Sequence, residues 1–282
     1  MRTLSLTVFG LLLFTAASCG GGAIAQPPVL PPVSGWTLAW SDEFSAADGS
    51  APDSTKWTYD LGGNGWGNQE LETYTSRPEN VQIQSGSLVI TARQESFTGT
   101  DGIARNFTST RLKTQNLFAQ AYGRFEARIK IPRGQGLWPA FWTLGNDITQ
   151  NGWPTCGEID IMENIGREPG INHGSLHGPS STAPTSDLTA TLSLPAGQSY
   201  ADDYHVYAIE WDPGTVRFFV DSNNYATFTQ AQWPAGGQWV FDHPFFIILN
   251  VAVGGSWPGS PDATTQFPQQ MLVDYVRVYS KQ

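Results

Sequence analysis

The near absence of helical hydrophobic periodicity is the feature that most limits how this chain can fold. Short runs rich in Val, Ile, Phe and Tyr recur instead, separated by turn residues, as in HVYAIEWDPGTVRFFVDS at 205–222. The 30 Gly and 19 Pro supply many such turns. Short β-prone runs with turn signals between them are typical of antiparallel strands. The sequence therefore predicts an all-β fold, a sandwich of two antiparallel sheets.

Two segments predict local strand geometry. In FEARIKI at 125–131, apolar and charged residues alternate, which is the period of a strand with one buried face. Asp212-Pro213-Gly214 stands between two β-prone runs and predicts a hairpin turn.

Composition excludes some classes of partner. Apolar residues make up 40% of the 282 residues and charged residues 14%, which is a globular composition with ample core material. The net charge is −10 and the pI is near 4.7. Nucleic acid is therefore not an expected partner, because phosphate binding needs Lys and Arg. The 11 Trp exceed what a core needs and indicate flat apolar surfaces for a ligand.

The N-terminus predicts export. Residues 1–25 combine Arg2 with an apolar core at 4–18, which is typical of a signal peptide and too short to span a membrane. The favoured cleavage site follows Ala25. A lipoprotein signal that anchors the chain through Cys19 remains an alternative. We expect a secreted protein, extracellular or periplasmic.

The remaining chain reads as one domain. Residues 26–34 are Pro-rich and predict an extended linker. Residues 35–282 contain no second linker and no repeat, so we expect them to form a single domain. After cleavage Cys156 would be the only cysteine, which excludes an internal disulfide and predicts a small buried apolar residue.

The stretch GEIDIMENIG at 157–166 places three acids in an apolar run. On a strand, Glu158 and Asp160 share one face, and strict alternation would send Glu163 into the core. A lone buried Glu costs several kcal/mol unless it is paired. One extra residue at Met162, a β-bulge, returns Glu163 to the face of the other acids.

The same stretch resembles the active-site strand of glycoside hydrolase family 16, in its laminarinase-like branch of β-1,3-glucanases, which has the pattern E-x-D-x-x-E. The resemblance implies a β-jelly roll whose concave sheet forms a sugar-binding cleft, and a retaining endo-β-1,3-glucanase. Further segments resemble the family in its own order: WSDEF (40–44), WGNQELETYT (66–75), YGRFEARIKIPRGQGLWPAFWTLG (122–145), HGSLHG (173–178), YHVYAIEW (204–211), LNVAVGGSWPG (249–259) and VDYVRVY (273–279).

Matching to the family motif implies a role for each acid. Glu158 would be the nucleophile, Glu163 the general acid/base, and Asp160 the residue that supports the nucleophile. Retaining hydrolysis needs one ionised and one protonated carboxyl group. Neighbouring carboxylates repel each other, which separates their pKa values and keeps one protonated near neutrality.

Other residues are expected to bind the sugar. Trp138 and Trp142 share one strand face in LWPAFW and are expected to stack on sugar rings, and Trp257 in GGSWPG is expected at the rim. Trp66 and Trp153 are further aromatic candidates. The family resemblance adds polar residues to the predicted cleft: Asn80, Arg111 and His177.

The resemblance also implies a structural calcium ion far from the catalytic acids. Glu43, Asp274 and the backbone carbonyl of Gly86 would hold it. No catalytic cofactor is expected, and the protein is expected to be a monomer that binds a β-glucan polysaccharide.

Two other functions remain open at this stage. The enzyme alternative is hydrolysis of mixed-linkage β-1,3-1,4-glucan or of an algal galactan. The other alternative is a non-catalytic β-glucan-binding lectin on the same fold. The presence of both Glu158 and Glu163 favours an enzyme.

Overall fold

The computed structural model describes residues 35–282. The predicted signal peptide at 1–25, the alternative lipid anchor at Cys19 and the linker at 26–34 lie outside the described residues. Within 35–282, no helix has the length and apolar character needed to cross a membrane.

The described residues are almost entirely β-structure. In chain order the elements are β1 (Trp36–Asp42), β2 (Thr58–Asp60), β3 (Glu72–Tyr74), β4 (Val81–Gln84), β5 (Ser87–Thr98), β6 (Ala104–Ser109), β7 (Arg111–Lys113), β8 (Gly123–Lys130), β9 (Leu137–Gly145), α1 (Ile148–Asn151), β10 (Glu158–Glu163), β11 (Ile171–Gly178), β12 (Ser186–Ser193), β13 (His205–Asp212), β14 (Thr215–Val220), β15 (Asn223–Thr229), a 3₁₀ turn (Gln230–Gln232), β16 (Phe245–Val253) and β17 (Gln269–Lys281).

The strands form two sheets, as the sequence predicts. The 10-stranded sheet has the order β15-β14-β13-β8-β17-β5-β6-β3, with β1 added on β17 and β4 on β5. The 7-stranded sheet has the order β12-β11-β10-β9-β16-β7-β2. Adjacent strands within residues 35–282 are antiparallel apart from β3 and β6, which run parallel. The all-β prediction is therefore confirmed, with one parallel pair that the turn pattern did not indicate.

The core lies between the two sheets and follows the pleat of each strand. On β8 the apolar residues Phe125, Ala127 and Ile129 are 0% exposed. On β16, in the smaller sheet, every residue is buried. The predicted hairpin is present, because Asp212 pairs with Thr215 across a two-residue turn. For β8, alternation in the sequence thus identified the face that lies in the core.

The predicted bulge in β10 is also present. The pairing of β10 with β9 shifts register between Asp160 and Met162, and its pairing with β11 shifts between Asp160 and Glu163. Ile161 and Met162 are both 0% exposed, so two consecutive residues point to the core side. Glu163 is returned to the outer face of the smaller sheet, where it pairs with Ala140 and His173.

Strand β3 carries an acid inside the protein. Glu72 is 0% exposed, and its Oε2 accepts a hydrogen bond from the backbone N–H of Val253 at 2.7 Å. Its Oε1 has no hydrogen-bond partner. Burial, and then the neighbouring Glu70, raise the pKa of Glu72 well above its usual value. The folded protein is therefore more stable when Glu72 is protonated, and the carboxyl group then links β3 to β16 through its contact with Val253.

We expect Glu72→Gln to stabilise the fold at alkaline pH. The folded state binds the Glu72 proton more tightly than the unfolded chain, so this stabilisation is present in acid and is lost as the pH rises through the raised pKa. The amide keeps the acceptor for Val253 and has no charge to bury. Chemical denaturation across pH should give the variant about 1–3 kcal/mol more stability than wild type in alkali, and little difference in acid.

Glu79→Gln is the matched control, because Glu79 is exposed. A Glu72→Gln variant that loses stability at every pH would contradict the protonated state of Glu72.

Candidate active site

A cleft of about 840 Å³ opens on the outer face of the smaller sheet. It crosses the strands from β7 to β12, and a loop from each end of the sheet contributes to its walls. The residues that line it are Trp66, Gly67, Asn68, Glu70, Arg111, Trp138, Ala140, Trp142, Leu144, Ile148, Trp153, Glu158, Asp160, Glu163, His173, Ser175, His177, Thr185, Asp187, Thr189, Asn250, Ala252 and Trp257.

The structure brings the three acids of β10 together at the centre of this cleft. Glu158, Asp160 and Glu163 all line it, while Ile159 and Ile161 are 0% exposed in the core. Across the neighbouring strand β11 the partners of the acids are His177, Ser175 and His173, respectively, and these also line the cleft. The pleat and the bulge together therefore produce a polar row beside an acidic row.

Each glutamate accepts a hydrogen bond from an indole. Nε1 of Trp138 donates to Oε1 of Glu163 at 2.9 Å, and Nε1 of Trp153 donates to Oε2 of Glu158 at 2.8 Å. The ring of Trp153 is 53% exposed, whereas Trp138 is half-buried. These contacts fix the two carboxyl groups in the cleft without placing a positive charge on either.

Both glutamates hold protons more tightly than ordinary carboxyl groups. Burial, and then the charge of Asp160, raise the pKa of Glu158 to about 8. Burial, followed by Asp160, also raises the pKa of Glu163 well above its usual value. The three carboxyl groups of β10 therefore do not all ionise together near neutrality, which leaves one of them available as a proton donor.

The cation nearest these acids is His177. Its Nε2 lies 2.9 Å from Oδ2 of Asp160, and its Nδ1 lies 2.6 Å from Oδ1 of Asp187. Burial alone would lower the pKa of His177, but Asp160, Glu158 and Asp187 together raise it to about 11. Ligand atoms of Glu158, Asp160 and His177 lie within 4.8 Å of one another. A protonated imidazole has no lone pair free for a metal ion, so the cluster fits an ion-paired network and not a metal site.

The tryptophan predicted beside Trp138 has a different set of contacts. Nε1 of Trp142 donates to Oδ1 of Asn250 at 2.7 Å, and Nδ2 of Asn250 donates to the hydroxyl of Tyr74 at 3.2 Å. Asn250, a polar residue in the apolar run of β16, thus finds partners on both sides. This network holds the Trp142 ring as part of the cleft wall.

Arg111 lies in the cleft between two tryptophans. Its guanidinium carbon lies 4.9 Å from the Trp66 ring centroid and 4.7 Å from that of Trp142. Its Nε lies 3.0 Å from Oδ2 of Asp60. The ion pair and the two cation–π contacts orient the guanidinium group at this end of the cleft.

Trp257 lies at the opposite side of the cleft, where the Gly-rich loop after β16 brings it. Its ring meets Trp138 edge-on with centroids 5.1 Å apart, and it meets His173 edge-on at 5.0 Å. Five tryptophans from distant parts of the sequence therefore line one cleft: Trp66, Trp138, Trp142, Trp153 and Trp257.

The prediction that Asn80 lines the cleft is wrong. Asn80 is 0% exposed, and its Nδ2 donates to the backbone carbonyl of Thr91 at 3.0 Å and to Thr108 at 2.9 Å. Its Oδ1 accepts from the hydroxyl of Thr75 at 2.6 Å. A buried amide needs all of these partners, and they hold it as a structural residue beside β5 and β6.

The residues predicted for calcium are engaged with arginines. Glu43 pairs with Arg277 through two hydrogen bonds of 3.0 and 2.8 Å, and Asp274 pairs with Arg128 at 2.9 Å. Gly86 lies exposed in the turn between β4 and β5. Each carboxylate therefore has an arginine partner, and the calcium site stays a prediction from resemblance.

Two acidic residues of the cleft, Glu70 and Asp187, were not predicted from the sequence. Glu70 accepts hydrogen bonds from Tyr74 at 2.9 Å and Asn68 at 3.1 Å, and lies within the segment WGNQELETYT that was noted only for its resemblance. Asp187 lies on β12 in a Ser- and Thr-rich stretch that carries no chemical motif. Only the pairing of β11 with β12, which places Asp187 opposite His177, reveals it.

A tryptophan-lined cleft on one face of a sheet, with three carboxyl groups on a strand that crosses it, is typical of a carbohydrate-cleaving enzyme, a glycoside hydrolase. The sequence matches glycosyl hydrolases family 16 over residues 68–277. The chain belongs to this family.

The relatives agree with this assignment. A beta-glucanase of Rhodothermus marinus is 44% identical over an alignment of 260 residues that covers 86% of this chain and 85% of that protein. An endo-beta-1,3-glucanase structure from Pyrococcus furiosus is 47% identical with a TM-score of 0.80, and the match covers 88% of this chain and 95% of that one. A laminarinase catalytic domain from Thermotoga petrophila is 44% identical with a TM-score of 0.79, covering 88% and 98%.

We expect the two indole donors to act on different glutamates. Each hydrogen bond lowers the pKa of its acceptor. Trp138→Phe should therefore raise the pKa of Glu163 further, and Trp153→Phe that of Glu158, by roughly one unit or more each, since a hydrogen bond to a charged group contributes about 1.5–3 kcal/mol. Carbon-13 NMR titration of the glutamate carboxyl groups measures both.

Each variant is the control for the other, because the larger shift must fall on the glutamate that lost its donor. If the Glu163 titration is unchanged in Trp138→Phe, this indole does not bind the ionised carboxylate in solution.

Proposed function

We propose that the protein is a retaining endo-glucanase that hydrolyses β-1,3-glucosidic bonds in laminarin-type glucans. The observation that carries the proposal is the placement of Glu158, Asp160 and Glu163 on one strand at the centre of a cleft lined by tryptophans. The similarity to an endo-beta-1,3-glucanase and to a laminarinase supports the choice of substrate.

In the first chemical step, the Glu158 carboxylate attacks the anomeric carbon. Glu163 gives its proton to the departing glycosidic oxygen, so a bond from the carbon to Glu158 replaces the bond to the leaving sugar. In the second step Glu163 takes a proton from water, and the water oxygen displaces Glu158 from the same carbon. The two displacements together retain the anomeric configuration.

The electrostatics of the site support these roles. The raised pKa of Glu163 keeps it protonated for the first step. Asp160 lies between the two glutamates along the strand, and its contact with His177 provides a positive charge beside the carboxylates. Glu158 must be ionised to attack, and burial followed by the charge of Asp160 raises its pKa to about 8. The charge of His177 and the indole N–H of Trp153 are the groups that oppose this rise and favour the carboxylate.

The course of the cleft supports cleavage within a chain. The lining runs across the strands from Arg111 on β7 to Asp187 on β12, so a polysaccharide can lie across the sheet with sugars on both sides of the acids. We assign the rings of Trp138, Trp142 and Trp257 to sugar stacking in this cleft. Arg111 and His177 supply polar contacts near them.

Two alternatives use the same site. Mixed-linkage β-1,3-1,4-glucan or an algal galactan would need the same acids, and a β-glucan-binding lectin would need only the aromatic walls. Release of reducing sugar from laminarin, lichenan, agarose and carrageenan distinguishes these substrates. We expect the highest kcat/KM on laminarin, and a preference for either galactan would contradict the proposal.

Export and assembly rest on the sequence. We propose that the protein is secreted, on the strength of the signal-like residues 1–25, with the lipid anchor at Cys19 as the alternative. A monomeric state stays a prediction.

We expect Glu158→Ser to abolish turnover of laminarin while leaving binding of the glucan intact, because the variant lacks the carboxylate that forms the covalent intermediate. Initial rates and isothermal titration calorimetry measure the two effects. The exposed Glu79→Ser is the matched control and should keep full activity. Full activity in Glu158→Ser would refute the nucleophile assignment.

Glu163→Ala should lower the rate on laminarin by about 10²–10⁴-fold, the usual contribution of a general acid. A substrate with an activated aryl leaving group needs no proton donor, so on that substrate added azide should restore part of the rate and yield a glycosyl azide. An azide-insensitive variant would contradict the acid/base role.

The stereochemistry of the first product provides a separate test. Double displacement at Glu158 should release a β-configured product, and proton NMR in the first minutes of laminarin hydrolysis shows which anomer forms first. An α-anomer that appears first would mean a single displacement by water and would exclude a covalent intermediate.

A further inference from the structure

Strands β10, β11 and β12 place three side chains in one row across the cleft. Glu158 pairs with His177, and His177 pairs with Asp187, as direct neighbours on adjacent antiparallel strands. Directly opposite residues in such sheets have Cβ atoms about 4.5–5.5 Å apart, so their side chains interact. His177 is therefore enclosed between a strand of catalytic acids and a strand that carries one further acid.

Both ring nitrogens of His177 face carboxylates. Nδ1 lies 2.6 Å from Asp187, and Nε2 lies 2.9 Å from Asp160. A neutral imidazole has only one N–H, so it can donate to only one of two acceptors. Asp160 Oδ2 has no hydrogen-bond partner of good geometry, so its 2.9 Å contact with Nε2 is an ion-pair contact. A carboxylate beside each ring nitrogen favours the imidazolium, because opposite charges stabilise the protonated ring.

The second oxygen of Asp187 is also engaged. Its Oδ2 accepts a hydrogen bond from the hydroxyl of Thr185 at 2.9 Å. The carboxylate is therefore oriented from one side by Thr185 and faces His177 with the other oxygen.

We propose that Asp187 is a positioning residue of the catalytic site, which holds His177 as an oriented cation beside Asp160 and Glu158. This role rests on the function proposed above for the acids of β10. Asp187 touches neither the proposed nucleophile nor the proton donor and acts on them through the imidazolium.

The charges around His177 explain why Asp187 is needed. From β10 the ring faces Asp160 and Glu158, and Glu163 lies further along the same strand. From β12 it faces Asp187, and from its own strand His173 shares the cleft face. Burial works against the protonated ring, and the carboxylates oppose this effect.

Loss of the imidazolium would leave the negative charge of Asp160 without compensation. Ionising Glu158 beside it would then be harder, since a like charge disfavours a second one and an opposite charge favours it. Asp187 thereby extends the ionised state of the nucleophile over a wider range of pH.

The test is Asp187→Asn in the otherwise unchanged protein. Asparagine keeps the shape and a hydrogen-bond acceptor but lacks the charge. Nitrogen-15 NMR titration of the four histidines should show that His177 loses its proton roughly one to three pH units lower in the variant than in wild type. The melting temperature should stay close to that of wild type, because the side chain of Asp187 is 41% exposed.

The kinetic readout is the ratio of wild-type to variant kcat/KM on laminarin as a function of pH. This ratio should be smallest in acid, where His177 is protonated in both proteins. It should grow as the pH rises, by about tenfold for each unit by which the pKa of His177 is lower in the variant than in wild type. The change should fall mainly on kcat, because the cleft walls that bind the glucan are intact.

Asp221→Asn is the matched control. Asp221 holds Nδ1 of His205 at 2.9 Å in the hairpin of β13 and β14, away from the cleft lining. Its substitution should leave both the titration of His177 and the pH profile unchanged.

Two results would overturn the proposal. One is an unchanged His177 titration in Asp187→Asn, and the other is a shifted titration with a ratio of rates that does not depend on pH. The NMR titration does not depend on turnover, so it tests the role of Asp187 by itself. The nucleophile assignment is tested separately, because an active Glu158→Ser variant would refute it.

Discussion

The rest of the molecule depends on one constraint at strand β10, whose two faces need opposite environments. One face of this strand must be buried from solvent because Ile159, Ile161 and Met162 complete the core between the sheets. The other face must carry three acids into an open cleft. A regular pleat satisfies both needs only as far as Asp160, and the bulge allows the polar face to continue to Glu163.

Three carboxyl groups on one strand repel one another when ionised, and neighbouring side chains reduce this repulsion. Trp138 and Trp153 donate neutral hydrogen bonds to the two glutamates. His177 contributes the positive charge on the side of Asp160. Both glutamates have a raised pKa, from burial first and then from Asp160. Acid/base chemistry on two carboxyl groups requires that one of them keep its proton while the other is ionised.

The walls of the cleft show how apolar and polar roles are combined in the same side chains. Arg111 lies against Trp66 and Trp142, and Trp142 is held in turn by Asn250. The rings keep their faces in the cleft while their N–H groups are satisfied inside the protein. Aromatic surfaces held in this way are rigid, so little conformational entropy is lost when a sugar stacks on them.

The sequence alone determined the fold class, the faces of strands such as β8, the bulge at Met162 and the three acids, because each depends on local alternation, which is a property of consecutive residues. The pairing of strands far apart in the chain decided the rest. It placed Asp187 beside His177 and gave Glu43 and Asp274 arginine partners. It also enclosed Asn80 among threonines, away from the cleft where resemblance had predicted it. Such contacts depend on register between strands, and register is fixed only when the two sheets bury their common core.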